Sequence, residues 1–144
     1  MSNNTMNILL VDDDDVASES VIRSLKKSGL TFPVRVAQDG MEALDILRGV
    51  NGCAPMQKPF LILLDLNMPR MNGFEFMQEV RADSLLSESV IFILTTSDAD
   101  SDRTRAYHEN IAGYIVKSAV GPQFSRLAQL LDSYSAAVKL PTDY

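Results

Sequence analysis

The run Phe60-Leu61-Ile62-Leu63-Leu64-Asp65 places apolar residues in succession and ends on a carboxylate. Directly after it comes Leu66-Asn67-Met68-Pro69-Arg70-Met71-Asn72-Gly73, a loop punctuated by proline and glycine. Unbroken apolar stretches of this length, bounded by turn residues, are strands buried on both faces, and such strands belong to parallel sheets covered by helices. In open sheets of that kind ligands bind at the carboxyl ends of the strands. Asp65 is therefore the first candidate for chemistry in this chain.

The rest of the sequence alternates in the same way. Asn7-Ile8-Leu9-Leu10-Val11 is a first strand, followed by Ala17, Val21, Ile22 and Leu25 at helical spacing until Gly29 stops the helix. Val34-Arg35-Val36-Ala37 is a second strand, and Asp39 with Glu42 three residues on has the form of a capping box for a short helix. After a loop from Gly49 to Pro59 and the Asp65 strand, a helix carries Phe74, Met77 and Val80 on one face. Val90-Ile91-Phe92-Ile93-Leu94-Thr95 is the fourth strand, a helix near Asp102 to Asn110 follows, and Tyr114-Ile115-Val116 is the fifth strand. Pro122 is expected to begin the last helix, with Phe124, Leu127, Leu131, Tyr134 and Val138 as its core stripe. Five strand–helix units result, with no internal repeat.

At 144 residues and 46% hydrophobic content, one domain spanning 1–144 is expected, with a core from about 6 to 138 and short polar tails. A formal charge of -6 argues against a direct nucleic-acid partner, because no basic stripe is present to displace counterions from phosphates. The apolar stretches are much shorter than a membrane span, and Met1-Ser2-Asn3-Asn4-Thr5 lacks the character of a signal peptide, so a cytoplasmic location is expected. Cys53, the single cysteine, has neither a disulfide partner nor a metal motif and is taken as incidental.

In a parallel sheet the ends of strands one, three, four and five share one edge. Asp12 to Asp15, Asp65, Thr95 and Lys117 follow or close those strands. Carboxylates gathered at ~4 Å repel by roughly 4 kcal/mol per pair at an effective dielectric near 20, so a cation is expected among them. Hard oxygen donors without His or Cys suit Mg²⁺, which takes one or two carboxylates and leaves room for a phosphate. A carboxylate nucleophile can accept a phosphoryl group, with a dication, an ammonium and a hydroxyl neutralising charge. Asp14 and Asp15 have a simpler role as acids at a helix N-terminus.

Taken together, the acid pair after strand one, Asp65-Leu66-Asn67-Met68-Pro69-Arg70-Met71-Asn72-Gly73, Ile93-Leu94-Thr95 and Gly113-Tyr114-Ile115-Val116-Lys117 resemble a two-component response-regulator receiver domain over nearly the whole chain. The resemblance implies a flavodoxin-like doubly wound parallel sheet of order 2-1-3-4-5. It implies Asp65 as phosphoacceptor and Asp12 and Asp13 as the acid pair. Asp13, Asp65 and the carbonyl of Asn67 would hold Mg²⁺ directly, with Asp12 acting through water. Thr95 would donate to the phosphoryl group, Lys117 would pair with it, and Tyr114 would be an aromatic rotamer switch. The donor would be a sensor histidine kinase or a phosphotransfer protein, with only self-catalysed phosphotransfer and dephosphorylation in the chain itself. Output would pass to a protein target through the face of the fourth helix, fifth strand and fifth helix, which also leaves room for a homodimer. Asn67 and Ser97 stand where the family tunes loss of the phosphoryl group. The segment Asp102-Arg103-Thr104-Arg105-Ala106-Tyr107 and the long loop before Phe60 are most similar to stand-alone receivers that partner bacterial phytochrome kinases.

One departure stands out: the family usually has proline after the lysine, often with a cis bond, and this chain has Ser118. A non-proline cis bond costs ~2.5 to 4 kcal/mol, so a trans Lys117–Ser118 bond is expected. Two rival functions follow from the same residues. Asp12-Asp13-Asp14-Asp15-Val16 has the form of the nucleophile motif of a Mg²⁺-dependent haloacid-dehalogenase-type phosphohydrolase, but that reading leaves Asp65 idle. A binding module that keeps the fold without being phosphorylated is the other. Calcium binding by Asp98, Asp100 and Asp102 is disfavoured because Arg103 stands where such a loop needs glycine. His108 has no paired nucleophile and is expected at the surface.

Overall fold

A computed structural model describes residues 6–141. Its sheet has five strands, β1 Asn7–Val11, β2 Val34–Ala37, β3 Phe60–Leu64, β4 Val90–Thr95 and β5 Gly113–Val116, in the order β2-β1-β3-β4-β5. Every pairing is parallel. The helices are α1 Asp15–Lys27, α2 Gly40–Arg48, α3 Gly73–Ala82, α4 Asp100–Tyr107 and α5 Ser125–Ala137. This is the flavodoxin-like doubly wound arrangement, with its switch point between β1 and β3.

The apolar runs are continuous because both faces of the sheet are covered. Ile8, Leu10, Leu61, Leu63, Phe92 and Leu94 pack with Val21 and Leu25 of α1 and Leu127 and Leu131 of α5. Their neighbours Leu9, Val11, Ile62, Leu64, Ile91 and Ile93 pack on the other face with Leu44 of α2, Phe76, Met77 and Val80 of α3 and Ala106 of α4. A strand built this way cannot slip by one residue without exchanging its two cores, which fixes where each strand ends.

The helix ends follow local chemistry with some corrections. Asp14 caps α1, accepting from the amides of Val16 and Ala17, with Asp15 in the first turn. Asp39 caps α2 through the Glu42 amide, but the Glu42 carboxylate reaches the amide of Gln38 and not that of Asp39, so the expected box closes one residue early. The complete capping box is Asn72 with Glu75 at the start of α3. α4 begins before Asp102 and ends at Tyr107, short of Asn110. The expectation that Pro122 opens the last helix is overturned. Pro122–Phe124 is a separate 3-10 turn in which Gln123 and Phe124 have φ of 55° and 58°, and α5 starts at Ser125. That left-handed pair turns Phe124 towards the α1–α5 core, where its carbonyl accepts from Ser24 Oγ at 3.0 Å. Val138 lies just past α5 in extended backbone and is exposed, so it is not part of the core stripe.

Candidate functional site

The register carries two carboxylates to adjacent positions. Val11 pairs with Leu64, so Asp12 and Asp65 leave neighbouring strands side by side, and the Asp65 amide donates to the Val11 carbonyl at 2.9 Å. Thr95 closes β4 and is fully buried, and Lys117 opens the 3-10 turn Lys117–Ala119 after β5. The rim therefore assembles four segments distant in sequence.

Lys117 Nζ stands 2.8 Å from Asp12 Oδ2 and 3.8 Å from Asp65 Oδ2. Asp12 is occupied on both oxygens, since Oδ1 also accepts the amide of Asp14 at 2.9 Å. Asp65 has a weaker set of partners: a 3.5 Å contact from the Asn67 amide to Oδ1 and a hydrogen bond from Thr95. Burial pushes the Asp65 carboxyl above its ordinary range. The Lys117 ammonium works against that rise, the Asp12 carboxylate adds to it, and the bonds from Thr95 and Asn67 pull it back.

Donor atoms of Asp12, Asp13 and Asp65 all lie within 4.8 Å of one another, with Asp13 exposed and the other two buried. Three hard carboxylate oxygens, with no nitrogen or sulfur donor in the set, are a donor chemistry that fits Mg²⁺. Asn67 is two residues past Asp65 on the same loop and is exposed, and Tyr114, half-buried on β5, donates its hydroxyl to the Ser97 carbonyl at 3.0 Å. The Lys117–Ser118 bond is trans and lies within the 3-10 turn Lys117–Ala119.

The raised Asp65 carboxyl has a consequence for stability. The folded chain holds that proton more tightly than the unfolded chain, whose Asp ionises near the ordinary value of 3.8. Stability from this group is thus fully present below 3.8 and is lost as pH rises through the elevated folded value. In chelator-treated protein, Asp65→Asn is expected to raise the melting temperature by roughly a few degrees at neutral pH and to lose that advantage on acidification. Calorimetric melts of both chains across pH check this. A variant that melts lower at neutral pH contradicts it.

Sequence reasoning missed two supports of the rim. Asp39, buried at the end of β2, receives Arg70 of the β3–α3 loop, with Arg70 Nη2 at 2.6 Å and Nε at 2.7 Å from Oδ2. An acid and an arginine that both follow strands on one edge were the available signal. The second is the partner of Ser97, a position already singled out: the Ser97 hydroxyl donates to Asp102 Oδ2 at 2.6 Å. The acids once weighed as a calcium loop have other partners: Asp98 and Asp100 pair with Arg103, and Asp102 holds Ser97. His108 is exposed at the end of α4, and Cys53 is half-buried against the core.

Comparison with known proteins gives the same arrangement a family. The model of the response regulator receiver domain matches residues 8–131. Among curated proteins, the probable methanogenesis regulatory protein FilR2 of Methanothrix harundinacea is 30% identical over 127 residues, covering 88% of this chain and 81% of its own. Response regulator Rcp1 of Synechocystis sp. is also 30% identical over 127 residues, covering 88% and 86%. The structure of the Mn²⁺-bound form of Rcp1 superposes with a TM-score of 0.79 at 28% identity, covering 95% of this chain and 99% of that one. The phosphorylated cyanobacterial phytochrome response regulator RcpA gives a TM-score of 0.84 at 30% identity, with coverage of 95% and 99%. Neither the phosphohydrolase nor the unphosphorylated-module alternative is favoured by these relatives. Among the described residues no helix is long and apolar enough to cross a membrane. Both the rim and the likeness lead to one conclusion: this chain belongs to the response-regulator receiver family.

Proposed function

We propose that the chain is a response regulator that accepts a phosphoryl group on Asp65 from a sensor histidine kinase or a phosphotransfer protein. The observation that carries this reading is the gathering of Asp12, Asp13, Asp65, Thr95 and Lys117 at one rim, with Asp65 the less tightly engaged of its two buried carboxylates. A free Asp65 oxygen attacks phosphorus, the P–N bond of the donor phosphohistidine breaks, and the electron pair leaves on the imidazole. Lys117, 3.8 Å from Asp65, offsets the charge carried by the incoming group, and the buried Thr95 hydroxyl donates to one of its oxygens. Asp12 keeps Lys117 in place, and Asp13, Asp65 and the Asn67 carbonyl would hold Mg²⁺. When bound, that ion supplies positive charge to the crowded carboxylates and the phosphoryl oxygens.

Transfer then changes a surface. Thr95 engages the new oxygens, the loop after β4 follows, and Tyr114, bonded to Ser97 in that loop, shifts with it. The readout face is α4, β5 and α5, a face that is also suited to pairing with a second copy. The chain turns over no substrate beyond its own phosphorylation and hydrolysis, and it works in the cytoplasm. RcpA is a cyanobacterial phytochrome response regulator, and likeness to it supports a phytochrome-type kinase as donor.

Incubation with a small phosphodonor and Mg²⁺ is expected to add one phosphoryl group to the unaltered chain and none to Asp65→Asn, as read by intact mass. Equal uptake by the variant would overturn the assignment.

A further inference from the structure

α4 has little apolar attachment to the rest of the molecule. Ala106 is its one buried residue, and its N-cap, Ala99, has no side chain able to accept from the first turn. Such a helix depends on whatever polar bonds hold its start. Two such bonds join the loop to the helix: the exposed Asp98–Arg103 pair at 3.4 Å, and the shorter, charge-assisted bond of Ser97 Oγ to Asp102 Oδ2 at 2.6 Å, with Ser97 Oγ also accepting the Ala99 amide at 3.3 Å.

Ser97 is tied at its other polar ends as well. Its amide points at Thr95 Oγ1 from 3.4 Å, and its carbonyl accepts the Tyr114 hydroxyl at 3.0 Å. One residue therefore touches the site through Thr95, the readout face through Tyr114, and α4 through Asp102. The Thr95 hydroxyl already faces Asp65, and following a phosphoryl oxygen placed beyond that carboxylate moves its loop, which the ties of Ser97 to Tyr114 and Asp102 resist. The bond to Asp102 has the shortest separation of the three.

We infer that Asp102 is a positioning residue that sets the balance of the switch: by holding Ser97 it keeps the β4–α4 loop in its resting arrangement, and Thr95 closes on a phosphoryl group only by working against that bond. The inference rests on Asp65 as phosphoacceptor. A ligand that favours one of two arrangements gains affinity when the other loses a stabilising contact. Removing the bond thus strengthens binding of a phosphoryl mimic while weakening the resting fold. A residue that only supports structure would weaken both.

The test is calorimetric titration of beryllofluoride into the full chain at saturating Mg²⁺, since the sequence has no tryptophan to report binding. Asp102→Ala is expected to bind about fivefold more tightly than the unaltered chain and to melt at a lower temperature. Asp102→Asn, which loses the charge but keeps an acceptor for Ser97, is expected to stay within about twofold of the unaltered chain. Ser97→Ala removes the donor side of the same bond and is expected to tighten binding like Asp102→Ala, which keeps the inference testable if the latter does not fold. Unchanged or weaker binding by the alanine variants overturns the inference. Equal tightening in Asp102→Asn also overturns it, because the cause would then be charge and not the bond. No binding by the unaltered chain would instead defeat the phosphoacceptor reading, and this inference with it.

Discussion

Replacing Lys117 with methionine is expected to lower the free energy of unfolding by about 3 kcal/mol at neutral pH in metal-free buffer and to stop stable phosphoryl uptake. The side chains of Lys117 and Asp12 are only 12% and 2% exposed, so the pair is buried and neither charge is well solvated alone. Without the ammonium, the Asp12 carboxylate keeps the Asp14 amide as its remaining partner and faces Asp13 and Asp65 with no counter-charge. Two consequences distinguish this cause from simple loss of packing. Asp12→Asn added to Lys117→Met should recover most of the lost stability, because the stranded charge is removed. Mg²⁺ should stabilise the single variant more than it stabilises the unaltered chain, because a dication takes over the neutralisation. Denaturant titrations of the single and double variants with and without Mg²⁺ check both, and a double variant no more stable than Lys117→Met would contradict the pairing argument.

Gly73→Ala should be nearly as damaging, for a steric reason. A Cβ at position 73 would lie 2.6 Å from the carbonyl oxygen of Asp65 and 2.8 Å from Cα of Leu66. Both are main-chain atoms of the loop that carries Asp65, so neither yields as a flexible side chain does. The Gly73 amide also donates to the Leu66 carbonyl at 3.0 Å, which seats the start of α3 directly on that loop. The methyl group forces the two apart, at about 2 to 3 kcal/mol of stability, and displaces Asp65 from its place beside Asp12 and Lys117. Mg²⁺ affinity measured by calorimetry should fall together with the melting temperature. Unchanged stability in the alanine variant would show that the loop is looser than described.

The parts of this molecule legible in its sequence are those governed by burial on two sides. β1 and β4 lie where continuous apolar runs place them, and β3 ends one residue before Asp65, because the inside of a strand sandwiched between two helical layers has no polar position to blur its limits; β2, a half-buried edge strand that includes Arg35, was legible from its valines. The same logic brought Asp12, Asp65, Thr95 and Lys117 to one edge, since every pairing in the sheet is parallel. What the sequence concealed depends on tertiary contact. Pro122 carries an ordinary helix-start signal, yet the Phe124 ring packs into the α1–α5 core and holds two residues in the left-handed region before α5 can begin. α4 shows almost no apolar period, so its bounds had no pattern to follow, and its start is held by the Ser97–Asp102 bond and the Asp98–Arg103 pair. The Arg70–Asp39 pair joins side chains 31 residues apart, where periodicity carries no information.

The most direct test of the central claim is to locate the phosphoryl group itself. After reaction with a phosphodonor and Mg²⁺, reductive trapping of the acyl phosphate followed by peptide mass spectrometry should find the modification on Asp65 alone. Modification on Asp12 or Asp13, with Asp65 untouched, would contradict the account and return the chemistry to the acid run after β1.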